Sequence, residues 1–172
     1  MSHENHGIQP VFDENSRVLI LGSFPSVKSR ESHFFYGHPQ NRFWKVLSGV
    51  VEDVLPTTIN EKKQFLLKHH IAIWDVIESC DIEGSSDSSI KNVVPNDLNQ
   101  VLNHSSICQI FTNGNTSSRL YEKYCLGETK KIAHNASISS TSEIKLPSTS
   151  PANAAFSPER LIENWLQIKP YL

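Results

Sequence analysis

The chain has 172 residues, of which 38% are hydrophobic and 20% charged, with a formal net charge of −2. That length buries a core without disulfide or metal staples, and no apolar run approaches membrane-spanning length. The near-neutral balance gives no global electrostatic case for nucleic acid, so any such role must rest on a local site.

Residues 1–15 read as a leading coil, loosely ordered, without the charged-then-apolar pattern of a secretion signal. An intracellular, cytoplasmic protein of one domain over residues 1–172 is expected, with no membrane association. Residues 17–21 form an apolar run that predicts a buried strand. Gly22, Pro25 and Ser26 end it and open a loop rich in aromatic, basic and hydroxyl groups, closing on Gly37-His38-Pro39-Gln40-Asn41. A helix then begins near residue 41 or 42, patterned by Phe43, Val46, Leu47 and Val50. Thr58-Ile59-Asn60-Glu61 has capping-box spacing and predicts a second helix to about residue 69. Residues 71–77 are a second β-rich run, and 78–89 read as a polar loop with four serines around Asp87. A short helix over about 95–103 leads to a third strand over 107–112 ending in Asn113-Gly114-Asn115, and a third crossover helix covers about 117–125. Residues 131–142 read as loop and 143–147 as a last short strand. Ser157-Pro158 then starts a terminal helix with Leu161, Ile162, Trp165 and Leu166 on its apolar face.

Strands alternating with helices predict an α/β fold, a three-layer α/β/α sandwich around a small four-stranded parallel sheet. Right-handed crossovers would gather the strand-end loops at one edge, where open α/β sheets place ligands. Cys80, Cys108 and Cys125 are far apart and read as buried thiols; no metal site and no cofactor are expected. Positive charge concentrates locally: Arg17, Lys28, Arg30, Arg42 and Lys45 stand against the single acid Glu31.

Three stretches carry a resemblance: Gly22-Ser23-Phe24-Pro25-Ser26, then residues 35–44 (FYGHPQNRFW), then residues 146–154 (LPSTSPANA). They resemble the uracil-DNA glycosylase superfamily, and within it the hypoxanthine-DNA (deoxyinosine) glycosylase branch. Trp74-Asp75-Val76, Ser79-Cys80, Gly84-Ser85 with Asp87-Ser88, and Phe111-Thr112-Asn113-Gly114 follow in the order of that branch, so the likeness covers about residues 17–165. The His-Pro-x-Asn-Arg-Phe-Trp segment is its most specific part, and it is shared with the mismatch-specific uracil/thymine branch. One departure bears on mechanism. Other branches carry Asp, Asn or Glu in the first motif to position water, and Phe24 stands there, so the resemblance moves the catalytic assignment to Asn41.

The resemblance implies a monofunctional enzyme of base excision repair, with DNA carrying deaminated or mismatched bases as partner and a monomer as the working unit. A base must be flipped out of the duplex before its glycosidic bond is reached, and aromatic walls suit the extruded ring. Phe24, Phe35 and Tyr36 are candidates for those walls, with Phe34 a further one, and Asn113 and Asp75 for reading the base edge. Asn41 is expected to orient water through its carbonyl oxygen on a dissociative path, or else to cap the following helix. His38 would donate to the leaving base or a phosphate, or hold a turn, and Asp75 is the rival general base. Ser26, Ser88, Ser148, Thr149, Ser150 and Pro151 suit DNA contacts, and the serines are equally ordinary turn formers. Lys28, Arg30 and Arg42 are expected at phosphates, with pairing inside the fold the alternative for Arg42. The alternatives are a uracil or mismatched-thymine glycosylase and, in another class, a lesion-binding module without catalysis.

Overall fold

Val18, Leu19, Ile20 and Leu21 offer no polar face, so a strand made of them must be covered on both sides. In the computed structural model, which describes residues 1–127 and 143–172, they are fully buried within β2 (Val18–Gly22). β2 pairs in parallel with β3 (Ile71–Asp75) on one side and with β6 (Gln109–Asn113) on the other. β7 (Ile144–Leu146) adds to β6, also in parallel, giving the order β3-β2-β6-β7. The four-stranded parallel sheet expected from the alternating pattern is present. The loop expected over 131–142 lies outside the described residues.

The chain leaves β2 toward one edge of the sheet and returns from β3 to the other edge. With right-handed crossovers, α2 (Phe43–Val51) and α3 (Ile59–Lys68) cover one face, and α4 (Asn99–Leu102) and α5 (Asn115–Tyr124) cover the opposite face. α6 (Pro158–Trp165) returns to pack on α2, where the rings of Phe43 and Trp165 meet edge to face at 5.8 Å. The expected capping box forms: Thr58 accepts from the Glu61 backbone while the Glu61 side chain accepts from the Thr58 backbone. The α6 start is also as read, with Ser157 as cap and Pro158 at the first position. A turn of 3₁₀ helix, Leu166–Tyr171, follows it.

Four expectations fail. Residues 1–15 are not loosely ordered: β1 (Ser2–Asn5) pairs antiparallel with β4 (Ile77–Ile82), Ile8 and Val11 are buried, and Trp74 Nε1 donates to the Ile8 carbonyl at 3.0 Å. The polar loop expected over 78–89 begins as a strand, β4 (Ile77–Ile82), which with β1 and β5 (Lys91–Pro95) forms a second, antiparallel sheet. The chain turns from one sheet into the other at Val76, whose N–H bonds the Gly22 carbonyl. The loop after β2 also contains a six-residue helix, α1 (Val27–Ser32), capped by Ser26. Cys80 and Cys125 are buried as expected, but Cys108 is only half-buried. Among the described residues no helix is long and apolar enough to cross a membrane.

Candidate active site

Gly22, Asp75 and Asn113 end three adjacent parallel strands at the same edge of the sheet, and chain entry to β3 and β6 from opposite sides leaves a crevice there. Residues 23–41 from one side and 148–151 from the other close that crevice into a cavity of about 260 Å³. Phe24, Phe35 and Tyr36 supply its aromatic wall. His38, Asn41, Asp75 and Asn113 supply most of its chemistry. Tyr36 adopts a left-handed backbone, φ 51°, and stacks on Phe43 at 3.8 Å, which covers one face of its ring, while its hydroxyl is buried near Gly22.

Two amides and a hydroxyl form a fixed relay across this floor. Asn113 Nδ2 donates to Thr149 Oγ1 at 3.0 Å, and Thr149 Oγ1 donates to Asn41 Oδ1 at 2.9 Å. The Thr149 backbone N–H returns to Asn113 Oδ1 at 3.0 Å. Asn41 Oδ1 also accepts the Phe43 N–H at 3.0 Å. Because a backbone N–H can only donate, that contact fixes which end of the Asn41 amide is oxygen. With both lone pairs of Oδ1 engaged, the Asn41 group left to serve a ligand is its NH₂, a donor. The expected orientation of water by the Asn41 carbonyl oxygen is therefore corrected; the cap position of α2 falls on Arg42, and Asn41 just before it holds the Phe43 N–H.

Asp75 is 4% exposed, and its Oδ2 is buried without a hydrogen-bond partner. Burial, and then the charge of Asp87, push its carboxyl up from 3.8 to about 7. The same burial, followed by the Asp75 charge, raises the Tyr36 phenol far above its ordinary value against a weaker pull from the Asn113 amide. Gly22 makes this arrangement possible: a Cβ there would stand 2.5 Å from Asp75 Oδ1 and 3.1 Å from the Tyr36 hydroxyl. At the rim Asp87 accepts from Ser23 Oγ at 3.1 Å, and the protein around it raises its carboxyl too, opposed by Ser23 and Arg119. His38 Nδ1 accepts the Gln40 N–H at 3.1 Å, which leaves Nε2–H as a donor at the cavity mouth. The cavity thus presents hydrogen-bond donors between aromatic walls, with a buried carboxyl among them.

The profile of the uracil DNA glycosylase superfamily matches residues 9–169. The chain belongs to that superfamily. It is 34% identical over 155 residues to a hypoxanthine DNA glycosylase of Methanosarcina acetivorans, an alignment covering 90% of this chain and 91% of that protein. It is 38% identical over 90 residues to a hypoxanthine DNA glycosylase of Methanosarcina barkeri, covering 52% of this chain and only 57% of that relative's length. The solution NMR structure of a candidate uracil DNA glycosylase from Methanosarcina acetivorans superposes with a TM-score of 0.74 at 26% identity, over 98% of this chain and 99% of that one.

Within this superfamily member, twelve of the residues expected at the site line the one cavity: Phe24, Ser26, Phe35, Tyr36, His38, Asn41, Asp75, Asn113, Ser148, Thr149, Ser150 and Pro151. Several do other work than expected. Thr149 is fully buried, so it cannot touch a phosphate; it holds the two asparagines. Arg42 is not a phosphate ligand either. Its guanidinium donates to the carbonyls of Thr149, Ser150, Asn153 and Phe156, pinning the 149–156 loop. Arg30 donates to the carbonyls of Pro25 and Gly84 and lies over the Phe24 ring at 5.3 Å, so it braces the aromatic wall rather than the strand of a ligand. Lys28 is exposed and pairs with Glu31 at 3.4 Å. Ser88 lies off the cavity, its hydroxyl 3.0 Å from that of Ser86. Phe34 stacks on Trp44 in the core and does not line the cavity. Asp87 and Ser23 were missed as site residues; Asp87 in the middle of a serine cluster after a strand was the available signal.

Proposed function

We propose that the protein is a monofunctional DNA glycosylase that removes hypoxanthine from deoxyinosine and leaves an abasic site, acting as a monomeric, single-domain intracellular enzyme. The observation that carries this reading is the cavity itself. It lies just below the roughly 300–1,000 Å³ of drug-sized sites, is walled by aromatic rings, and ends on hydrogen-bond donors. Two relatives named hypoxanthine DNA glycosylase support the choice of base.

Phe24 and Phe35 flank the flipped ring, and the purine edge, rich in acceptors at O6 and N7, meets the Asn41 NH₂ and the protonated Asp75 carboxyl. The C1′–N9 bond breaks with its electron pair going to the base, and donors held in a dry site stabilise that departing charge. The departing base takes its proton from the Asp75 carboxyl; water then adds to C1′, and the proton it releases restores that carboxyl. An ionised Asp75 would instead repel the anionic base, so Asp75 serves here as the acid and not as the general base. His38 Nε2–H is placed at the mouth for a phosphate. No lysine lines the cavity among the described residues, which supports base release without strand cleavage.

Single-turnover release of hypoxanthine from a duplex with one deoxyinosine tests the assignment. Asn41→Ala is expected to lower the rate by roughly 10²–10³-fold, the usual cost of losing one such donor. Wild-type rates should fall as pH rises through about 7, and Asp75→Asn, which keeps a donor but cannot ionise, should lose that fall. A pH profile identical in Asp75→Asn and wild type would remove Asp75 from the acid role. Lesion binding with no release at any pH would favour a non-catalytic binding module.

A further inference from the structure

The arginines expected to follow a DNA backbone are bonded inside the fold, which leaves the question of where the strand runs beyond the flipped nucleotide. A second groove answers it. It opens from the cavity rim at Asp87 and runs between β5 and one face of α5. Thr116, Arg119 and Lys123 recur at helical spacing along that face, and Lys91, Asn92 and Ser88 stand opposite. Lys91, Arg119 and Lys123 are all exposed and make no ion pair or hydrogen bond with the described residues. Among the described residues Asp87 is the single carboxylate lining the groove, at the end where it joins the cavity, and Arg119 acts on it through its charge alone. Glu122, also on α5, does not line it. The floor is apolar, with Leu120 and the Tyr124 ring, over which Lys123 Nζ lies at 5.1 Å.

Resting on the glycosylase reading above, we propose that this groove carries the phosphodiester backbone of the lesion strand on one side of the flipped nucleotide. The α5 face from Thr116 to Tyr124 is about 12 Å long at 1.5 Å per residue. Phosphates of one strand advance about 3.4 Å per nucleotide along the duplex axis and farther along the strand itself, so the groove accommodates two to three of them, within reach of the three cations. Sugar faces then rest on Leu120 and Tyr124. The chain's overall negative charge is thereby reconciled with DNA binding, because the three cations line one groove that leads directly into the cavity.

The test is the salt dependence of binding to a duplex carrying one deoxyinosine, read by fluorescence anisotropy. Each lost phosphate contact flattens the slope of log K against log salt by about 0.9. The triple variant Lys91→Gln, Arg119→Gln, Lys123→Gln should therefore flatten it by two to three and weaken low-salt binding at least tenfold. A control removing the same charge at Lys63, Lys68 and Lys169, none of which lines the cavity or the groove, should keep the wild-type slope. Should the triple variant unfold, Lys91→Gln and Lys123→Gln taken singly should each flatten the slope by about one. An unchanged slope in folded variants overturns the groove assignment, and so does equal flattening in the control, which would be a net-charge effect. Wild-type protein that binds with a steep slope yet releases no base overturns the glycosylase reading while leaving the groove; wild-type protein that binds no DNA overturns both.

Discussion

One missing methyl group decides how closely the cavity floor can be built. An alanine at position 22 would drive its Cβ to 2.5 Å from Asp75 Oδ1, so the carboxyl would have to leave the position where Gly22 now lets it lie. Gly22→Ala is expected to lower base release at least as much as Asp75→Asn, measured by the same single-turnover assay. Asp75 also sets a stability signature. Its folded-state value of about 7 lies above the ordinary 3.8, so between those values only the folded chain holds the proton. Folding stability should fall as pH rises from about 4 to about 7, by a few kcal/mol, and then level off. Denaturant unfolding across that range should show the fall in wild type and a flatter profile in Asp75→Asn; a wild-type profile rising from pH 4 to 7 in step with the variant would contradict the buried acid. The sequence made Asn41, His38 and the three aromatics legible through their spacing and resemblance. It did not show which end of the Asn41 amide is free, because that follows from the Thr149 hydroxyl arriving from a loop more than a hundred residues away.

The 149–156 loop depends on Arg42, whose guanidinium gathers four of its carbonyls. Hydrogen bonds to charged groups contribute about 1.5–3 kcal/mol each, and several are lost together in Arg42→Ala. That variant should lower the melting temperature by on the order of 10 °C, and because Thr149 sits on the same loop it should lose base release as well; a melting temperature within about 2 °C of wild type would contradict the clamp. Thr58→Ala is the milder case, removing one cap of α3 at a cost of about 1 kcal/mol without touching the cavity. Caps and apolar runs were readable because their signals are local. β4 and β5 were not: β5 has no buried residue and so no apolar face to read, and β4 pairs with it irregularly, so neither gives a clean hydrophobic period-two pattern. The six-residue α1 was hidden for a related reason, since it buries only Ser29 and has no apolar stripe.

For the molecule as a whole, the parallel sheet supplies the cavity and the small antiparallel sheet supplies its rim. The second sheet holds Asp87 and the groove beside it, and β1 closes the far edge of that sheet. The four-stranded sheet and its superfamily could be read from the alternation of elements and the ordered motifs. The second sheet could not, because its pairing joins residues 2–5 to 79–82 and depends on contacts no local pattern records. Both sheets serve one claim, that a deaminated purine flipped from DNA is released in the cavity at the ends of β2, β3 and β6. The most direct test is base release by the wild-type protein from matched duplexes carrying one deoxyinosine, one deoxyuridine or one G·T mismatch, with the free base identified by mass. Hypoxanthine released fastest, with the strand left intact at an abasic site, is the predicted result; uracil or thymine released in preference, or no base from any of the three, would contradict it.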